Sequence, residues 1–286
     1  MDDVELVGVV DVRAERAADV AGRVGAPAFT DIRDVLGFVD AVSIAVPTES
    51  HVEVALPFVD RGIAVLVEKP LAPTVADADR LIEAAGRRGV VLAAGHTERF
   101  NPAVAAALPL VSAPRFVEVH RLGTFPDRSL DIDVIFDLMI HDLDLLLASV
   151  QSPVASIEAV GVHVLTPRTD IANVRLRFAS GCIANLTASR ISRERVRKAR
   201  FFQHDSYVSI DFAAQEAEVY RLVRGTGRPV IEGGKLAVAR DEPLRRELAD
   251  FVDAVRTARA PAVPAQAGRD ALLLATQIAD MMESTT

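Results

Sequence analysis

This sequence contains one cysteine and no tryptophan. The single cysteine, Cys182, excludes an internal disulfide and any metal site built on two cysteines, which fits a reducing compartment. No apolar run approaches the length of a membrane span, and the acidic start Met-Asp-Asp-Val-Glu does not resemble a signal peptide. The sequence therefore predicts a cytoplasmic protein without a membrane segment.

Positively charged residues are fewer than negatively charged ones. Lys and Arg together number 32 against 40 Asp and Glu, giving a formal net charge of -8 and a pI near 5.3. A general nucleic-acid binder needs a basic footprint, so that class of partner is excluded. Half of the 286 residues are hydrophobic and a quarter are charged, as in ordinary globular proteins, and the length suffices for two domains with separate cores.

A glycine-rich turn of the pattern G-x-G-x-x-G is missing. In dinucleotide-binding folds this turn follows the first strand and lets backbone N–H groups approach the pyrophosphate. Gly225-Thr226-Gly227 lacks the third glycine and lies in the wrong half of the chain. The chain opens instead at what corresponds to the second strand, which Asp11 ends, where an acidic residue would hydrogen-bond the adenosine ribose. A preceding unit of roughly 25–30 residues would restore the pattern, and a misassigned start is one hypothesis for its absence.

What the first hundred residues do contain is an alternation of strands and helices. Strands are predicted at 5–10, 41–46, 64–67 and 90–94, and helices at 14–24, 51–61 and 74–89. Thr74 and Asp77 form an N-cap pair at the start of the last of these helices. The alternation implies βαβ units and a parallel, doubly wound sheet. We predict an α/β Rossmann-type domain over residues 1–101, truncated at its first strand.

After Asn101-Pro102 strands follow one another with few helices. Ser180-Gly181 is a hairpin turn signal. Helices are predicted at 134–150, 243–258 and 267–283, and strands at 115–121, 156–162, 173–178, 182–189, 197–204, 207–211 and 217–220. The pattern predicts an α+β domain with a large, mainly antiparallel sheet over residues 102–265. A C-terminal helix, residues 266–286, is expected to pack back near the first domain.

The segment Val65–Leu71 is an apolar strand that ends in Glu68-Lys69-Pro70. A strand apolar on both faces belongs inside an α/β sheet, and ligands bind at the carboxyl ends of such strands. A lysine held there by the sheet can direct its charge at a bound molecule, and the proline ends the ladder because it has no N–H. The alternative is a surface lysine beside a glutamate.

A second candidate for chemistry is His141, which follows Asp137 by four residues and Asp133 by eight on a predicted helix. A carboxylate one turn from an imidazole can fix its tautomer and raise its basicity, as a general base requires. There are two alternatives: the Asp-x-x-x-His spacing could bind a metal ion, or His141 could be a buried core histidine. We predict no metal site.

Two further loops follow predicted strands and are expected to border ligands. Val46-Pro47-Thr48-Glu49-Ser50-His51 would lie beside a cofactor, although Pro-Thr-x-Ser is also a good helix start. The polar segment Gly95–Pro102 suits the face of a substrate site. The predicted substrate residues are His96, Glu98, Arg99, Asn101 and Asp133.

A basic run interrupts this acidic sequence between Arg190 and Arg200, with further cations at Arg193, Arg195, Arg197 and Lys198. A solvated or subunit-facing strand edge is the favoured interpretation. A phosphate-binding role is the alternative. The run is too short and isolated to imply nucleic acid.

Taken together, these segments resemble the Gfo/Idh/MocA family of NAD(P)-dependent sugar oxidoreductases, from Val4 to about Met282. Glu68-Lys69-Pro70 is similar to the family signature, Asp137 with His141 to its Asp-x-x-x-His element, and Pro47-Thr48 with His51 to its nicotinamide-side loop. The resemblance implies that Lys69 and His141 carry catalysis. It also implies that Glu68 and Pro70 shape the nicotinamide site and that the antiparallel sheet forms a subunit interface, hence a homo-oligomer.

Finer motifs are similar to a bacterial subgroup that acts on nucleotide sugars and includes UDP-N-acetylglucosamine 3-dehydrogenases. These motifs are Gly95–Pro102, Arg128–Asp133, Asp170–Arg175 and Asn185–Arg190. The family's glycine-rich stretch before the Asp-x-x-x-His element is replaced here by Ser129-Leu-Asp-Ile-Asp133, which the subgroup shares.

The leading hypothesis is an NAD-dependent dehydrogenase that oxidises a secondary hydroxyl of a nucleotide-linked sugar. His141, oriented by Asp137, would take the hydroxyl proton while Lys69 holds and polarises the oxygen. Asp11 would repel a 2′-phosphate, which favours NAD over NADP, while Arg13 argues the other way. The alternatives are a dehydrogenase or reductase of a free sugar or inositol, and a non-catalytic paralogue serving as an oligomerisation or sugar-binding module.

Overall fold

The computed structural model describes residues 1, 4–125, 132–225 and 228–283. The chain divides into two compact units, one formed by Met1–Gly95 with Leu248–Gln266 and the other by His96–Glu247 with Ala267–Thr286. Most of the predicted motif Arg128–Asp133, and Thr226-Gly227, lie outside the described residues. None of the described helices is long and apolar enough to cross a membrane.

The first unit alternates strands and helices, as predicted. Its strands are β1 (Val9–Val10), β2 (Ala28–Phe29), β3 (Ala41–Ile44), β4 (Ala64–Glu68) and β5 (Leu92–Gly95), and its helices are α1 (Ala14–Val24), α2 (His51–Val59) and α3 (Val75–Arg88). All strand pairs are parallel, in the groups β1-β2 and β3-β4-β5. The Rossmann-type prediction is confirmed. The strand predicted over 5–10 is shorter because only Val9 and Val10 find partners on β2, which the sequence analysis missed.

Local sequence signals account for the helix ends. The hydroxyl of Thr74 accepts a hydrogen bond from the Asp77 backbone N–H at 3.1 Å and begins α3, as its N-cap pattern predicts. Gly89 ends the same helix in the left-handed region at φ +63°. Between α2 and α3, the strand β4 has Ala64 to Val67 buried on both faces, as a central parallel strand should be.

The second unit is built on one eight-stranded sheet in the order β13-β12-β11-β10-β6-β9-β8-β7. Its strands are β6 (Phe116–Leu122), β7 (Val154–Val162), β8 (Ile171–Phe178), β9 (Ile183–Ser189), β10 (Val196–Phe202), β11 (Ser206–Asp211), β12 (Glu216–Val223) and β13 (Val230–Lys235). All neighbours are antiparallel except β6 and β9, which pair in parallel. The predicted mainly antiparallel α+β domain is confirmed, and β13 is an addition.

Helices cover one face of this sheet. They are α4 (Pro102–Ala107), α5 (Ile140–Val150) and α7 (Ala265–Glu283). A further helix, α6 (Pro243–Thr257), has residues in both units. Buried residues of α5 and α7, such as Leu143, Leu146 and Ile278, share one core with the sheet residues Val174 and Leu186.

The C-terminal segments contribute to both units. The end of α6 belongs to the first unit, because Phe251 packs against Ala64, Leu66 and Ala93. The buried side chains of α7 belong to the core of the second unit, and the packing of residues 266–286 near the first domain stays a prediction. Amphipathic periodicity predicted the helix but could not say which core its apolar face would join.

Candidate active site

In the first unit, the loops after β3 and β4 are joined by one buried histidine. His51 is 1% exposed. Its Nδ1 lies 2.9 Å from the carbonyl oxygen of Pro70, and its Nε2 lies 3.0 Å from that of Val46. The imidazole therefore holds the two strand-end loops together, which brings the predicted loops 46–51 and 68–70 side by side.

Glu68 and Lys69 stand at the carboxyl end of the buried strand β4. The backbone N–H of Lys69 donates to Glu68 Oε2 at 3.2 Å, and both side chains are half-buried. Gly95 is the partner of Glu68 on β5, and a Cβ at Gly95 would lie 2.9 Å from Glu68 Cα. The close approach of the two backbones requires glycine, and it fixes the position of the Glu68-Lys69 corner.

Asp11 follows β1 directly, at the strand end that the sequence predicts. Its Oδ1 accepts the Arg13 backbone N–H at 2.9 Å, and its Oδ2 lies 3.2 Å from Arg16 Nε. The Arg13 side chain is 67% exposed. A carboxylate can accept about four hydrogen bonds, so Asp11 retains capacity for another donor.

In the second unit, His141 lies in the first turn of α5 immediately after a π-helical turn, Ile135–Met139. The Ile140 N–H bonds to Ile135 O, five residues back. This corrects the predicted regular α-helix over 134–150, because Asp137 and His141 are not separated by an ordinary α-helical turn. Such π-bulges occur often at functional sites. The ring of buried His96 lies edge-on to that of His141, with centroids 5.9 Å apart.

A buried ion-pair network fixes α5 beside the segment that carries His96. Arg121 on β6 donates to both oxygens of Asp142 at 2.8 Å, and to Glu98 Oε1 at 3.0 Å. Burial disfavours its charge, but the two carboxylates raise the pKa of Arg121 above its usual value. For Asp142, burial raises the pKa although the guanidinium of Arg121 opposes this. The sequence analysis missed Arg121 and Asp142. The available signal was the position of Arg121 in phase with the buried residues Val117 and Val119 of β6.

The predicted substrate residues of the 95–102 segment are engaged within the protein. Arg99 binds both carboxylate oxygens of Asp144 at 2.6 and 2.8 Å. Asn101 is buried, caps α4 through Ala103 N–H at 3.0 Å, and donates to the carbonyl of Phe212 at 3.0 Å. These bonds hold the polar segment rigid, so contact with substrate stays a prediction for its members.

The entrance to the π-helical turn is fastened to the loop that precedes β8. Asp133 Oδ1 accepts the Thr169 N–H at 2.6 Å, and Arg190 donates to the carbonyl of Ile132. Asp170 accepts three backbone N–H groups and the Thr166 hydroxyl. Burial raises the pKa of Asp170, but these four donors outweigh it and lower the pKa to about 2.

The predicted site residues that the structure brings together form one group in each unit. Among the residues that the structure describes, no group of three or more His, Cys, Asp or Glu side chains could hold a metal ion. In the second unit the structure brings His96, Glu98 and His141 together around the start of α5. In the first it brings Val46, His51 and Pro70 together.

Two sequence families match the chain. Residues 1–96 match the oxidoreductase family with an NAD-binding Rossmann fold, and residues 114–205 match the GFO/IDH/MocA C-terminal domain. UDP-N-acetylglucosamine 3-dehydrogenase from Acidithiobacillus ferrooxidans is 40% identical over 283 residues, covering 98% of this chain and 90% of the relative. Myo-inositol 2-dehydrogenase from Thermotoga maritima is 26% identical over 96% of the chain and 87% of its own length.

The similarity to solved structures agrees with these sequence matches. A structure of the Acidithiobacillus ferrooxidans UDP-N-acetylglucosamine 3-dehydrogenase superposes with a TM-score of 0.92 at 39% identity, covering 98% of this chain and 90% of the other. Levoglucosan dehydrogenase in complex with NADH and levoglucosan superposes with a TM-score of 0.86 at 18% identity, covering 98% and 88%. The second similarity is one of fold.

Proposed function

The chain belongs to the Gfo/Idh/MocA family and is an NAD-dependent oxidoreductase, and from this premise we propose that it oxidises the 3-hydroxyl of a UDP-N-acetylglucosamine-like nucleotide sugar. The observation that carries the proposal is the 40% identity to a UDP-N-acetylglucosamine 3-dehydrogenase along 98% of the chain. The Glu68-Lys69-Pro70 corner and His141 supply side chains suited to that reaction.

His141 serves as the general base in this proposal. It is half-buried at the start of α5, where its ring orientation is constrained by the edge-on ring of His96. Neutral imidazole accepts a proton near neutral pH, which is what removal of a hydroxyl proton requires. Asp137, which precedes it by four residues, stabilises the imidazolium that results.

Lys69 serves as the electrostatic partner. The sheet position of Glu68 and the close approach of Gly95 fix the corner from which the lysine extends. A fixed ammonium group stabilises the negative charge that develops on the substrate oxygen as the proton leaves.

The first unit fits the cofactor of its family. NAD, when bound, accepts the hydride released from the sugar carbon. Asp11 has accepting capacity left for a ribose hydroxyl, and its negative charge disfavours the 2′-phosphate of NADP. The loops 46–48 and 68–70, held together by His51, are the residues that would border the nicotinamide.

Replacing His141 tests the assignment. We expect His141→Ala to lower kcat by ~10²–10⁴-fold while sugar binding is retained, because only the proton acceptor is removed. His163→Ala, at an exposed position of the same unit, is the matched control. An unchanged rate in His141→Ala would remove the histidine from the mechanism.

A free sugar or inositol is the second candidate substrate, favoured by the similarity to myo-inositol 2-dehydrogenase. Comparing turnover of UDP-N-acetylglucosamine with that of N-acetylglucosamine and myo-inositol separates the two. Faster turnover of the free compounds would contradict the proposed substrate.

The protein is also proposed to be a cytoplasmic homo-oligomer. The single, buried cysteine supports a reducing compartment.

The proposed oligomer contact is an aromatic row on the sheet face opposite the helices. The rings of Phe116, Phe202, Tyr207 and Tyr220 follow one another at 5.1–6.4 Å. Phe202 and Tyr220 are each 37% exposed. Burial of this row between two copies would remove apolar surface from water. Sedimentation of Phe202→Glu against wild type tests it, and an unchanged mass would contradict it.

A further inference from the structure

Three arginines lie close together in the sequence of this acidic chain. We call Arg193, Arg195 and Arg197 the basic segment; all three are exposed. The other cations of the run are occupied, since Lys198 lies 3.2 Å from Asp211 and Arg200 lies 2.7 Å from Glu118. Within the described part of the chain, no ion pair involves the basic segment. The basic segment therefore concentrates three such charges in a short stretch of a chain whose net charge is -8.

That location adjoins the start of the catalytic helix. The loop before β10 is bonded to the end of β6, because Ser192 N–H donates to Gly123 O at 2.9 Å. Arg195 contacts Thr124 Oγ1 through Nε at 3.4 Å and Nη2 at 3.2 Å. Arg197 is the direct cross-strand partner of Arg121. It thus lies on the sheet face where Arg121 binds Asp142, the residue next to His141.

The cross-strand pairing of Arg197 with Arg121 places two positive charges opposite each other. Directly opposite residues of an antiparallel pair have their Cβ atoms about 5 Å apart, and like charges there destabilise the sheet. Arg121 is neutralised by Asp142 and Glu98, which are already engaged with it. Arg197 lies close enough to Asp142 to oppose the rise in its pKa, but both oxygens of that carboxylate are already bound by Arg121. An anion at this end of the sheet would therefore relieve the repulsion.

We propose that Arg197 and Arg195 bind the diphosphate of the nucleotide-sugar substrate. Guanidinium groups bind phosphate oxygens in a bidentate manner, and two of them match the charge of a diphosphate. The position beside Asp142 would let the attached sugar extend toward His141. This inference rests on the proposed function and names the part of that site that recognises the nucleotide.

The test is calorimetric titration with UDP, which needs neither turnover nor cofactor. We expect Arg197→Gln and Arg195→Gln each to weaken UDP binding by about tenfold or more, because each removes a charge-assisted contact. Arg197→Lys should retain part of the affinity. Arg177→Gln, an exposed arginine on β8, is the matched control for loss of one positive charge and should bind UDP like wild type.

NAD also contains a diphosphate, so the same variants are titrated with NAD, whose affinity should not change. A double variant that carries both Arg195→Gln and Arg197→Gln is titrated as well. If it binds UDP like wild type while wild type oxidises UDP-N-acetylglucosamine, this inference is overturned and the proposed function stands. Loss of NAD affinity with UDP affinity intact would also overturn it. If wild type neither binds UDP nor oxidises a nucleotide sugar, both fall together.

Discussion

Asp170 anchors the loop that precedes β8 and that binds Asp133 through Thr169, and its replacement by asparagine should be measurable as lost stability. The carboxylate is fully buried and accepts the N–H groups of Val164, Leu165 and Thr166 at 2.9, 2.6 and 2.9 Å. It also lies 3.8 Å from Arg190 Nε. Asparagine keeps the shape but removes the charge and half of the accepting capacity.

The magnitude follows from the pKa of this carboxyl. Burial raises the pKa of Asp170, but its donors lower it from 3.8 to about 2, which corresponds to about 2 kcal/mol of folding free energy at pH 7. Because the folded-state pKa is the lower one, this contribution is complete above about pH 5 and is lost as the pH falls toward 2. The difference between wild type and Asp170→Asn should therefore shrink to about half near pH 3.

Tyrosine fluorescence during urea denaturation is the suitable assay. The chain has no tryptophan and two tyrosines, Tyr207 and Tyr220, which both lie in the second unit with Asp170. The signal therefore reports the unfolding of that unit. Taking the difference between variant and wild type at each pH removes the contribution of the other titrating groups.

Asp280→Asn serves as the control, because this exposed aspartate on α7 belongs to the same unit. It should change the urea midpoint little at any pH. Equal midpoints for Asp170→Asn and wild type at pH 7, or a difference that stays constant down to pH 3, would refute the reasoning.

Three further predictions concern the core of each unit. Gly95→Ala should lower thermal stability by ~1–3 kcal/mol in circular dichroism, because its Cβ would meet Glu68 Cα at 2.9 Å; an unchanged melting temperature would contradict this. Arg121→Met should cost about 3–5 kcal/mol in urea denaturation by leaving Asp142 buried without its cation, and adding Asp142→Leu should restore part of the loss. Burial raises the pKa of the Cys182 thiol to about 11, so it should resist a thiol reagent at pH 8 until urea unfolds the chain.

Local signals predicted most helices and strands of both units. The N-cap at Thr74 and the left-handed Gly89 bound α3, because capping depends on a few neighbouring residues. Strand β13 was missed because Gly233 and Gly234 interrupt its apolar pattern, and it forms only through pairing with β12. The parallel pairing of β6 with β9 joins segments far apart in sequence, so no local pattern indicates it.

In the candidate site, too, local sequence motifs predicted some residues, and contacts between distant segments involved others. Lys69 and His141 could be predicted as candidates because strand-end and helix motifs are continuous in sequence. The ion pairs around α5 could not be predicted, because Glu98, Arg121 and Asp142 come from three separate elements. Their contacts show that part of the polar segment 95–102 positions α5, which the sequence had suggested only as a substrate face.

The sequence by itself determined the chain's alternating and antiparallel halves, its catalytic candidates and its family, because these depend on periodicity, caps and contiguous motifs. Tertiary structure decided the π-helical turn before His141, the core that α7 joins, and the placement of Arg197 opposite Arg121. These features arise from packing and charge balance between distant segments. Burial makes the interactions strong, and only the folded chain brings the partners within reach.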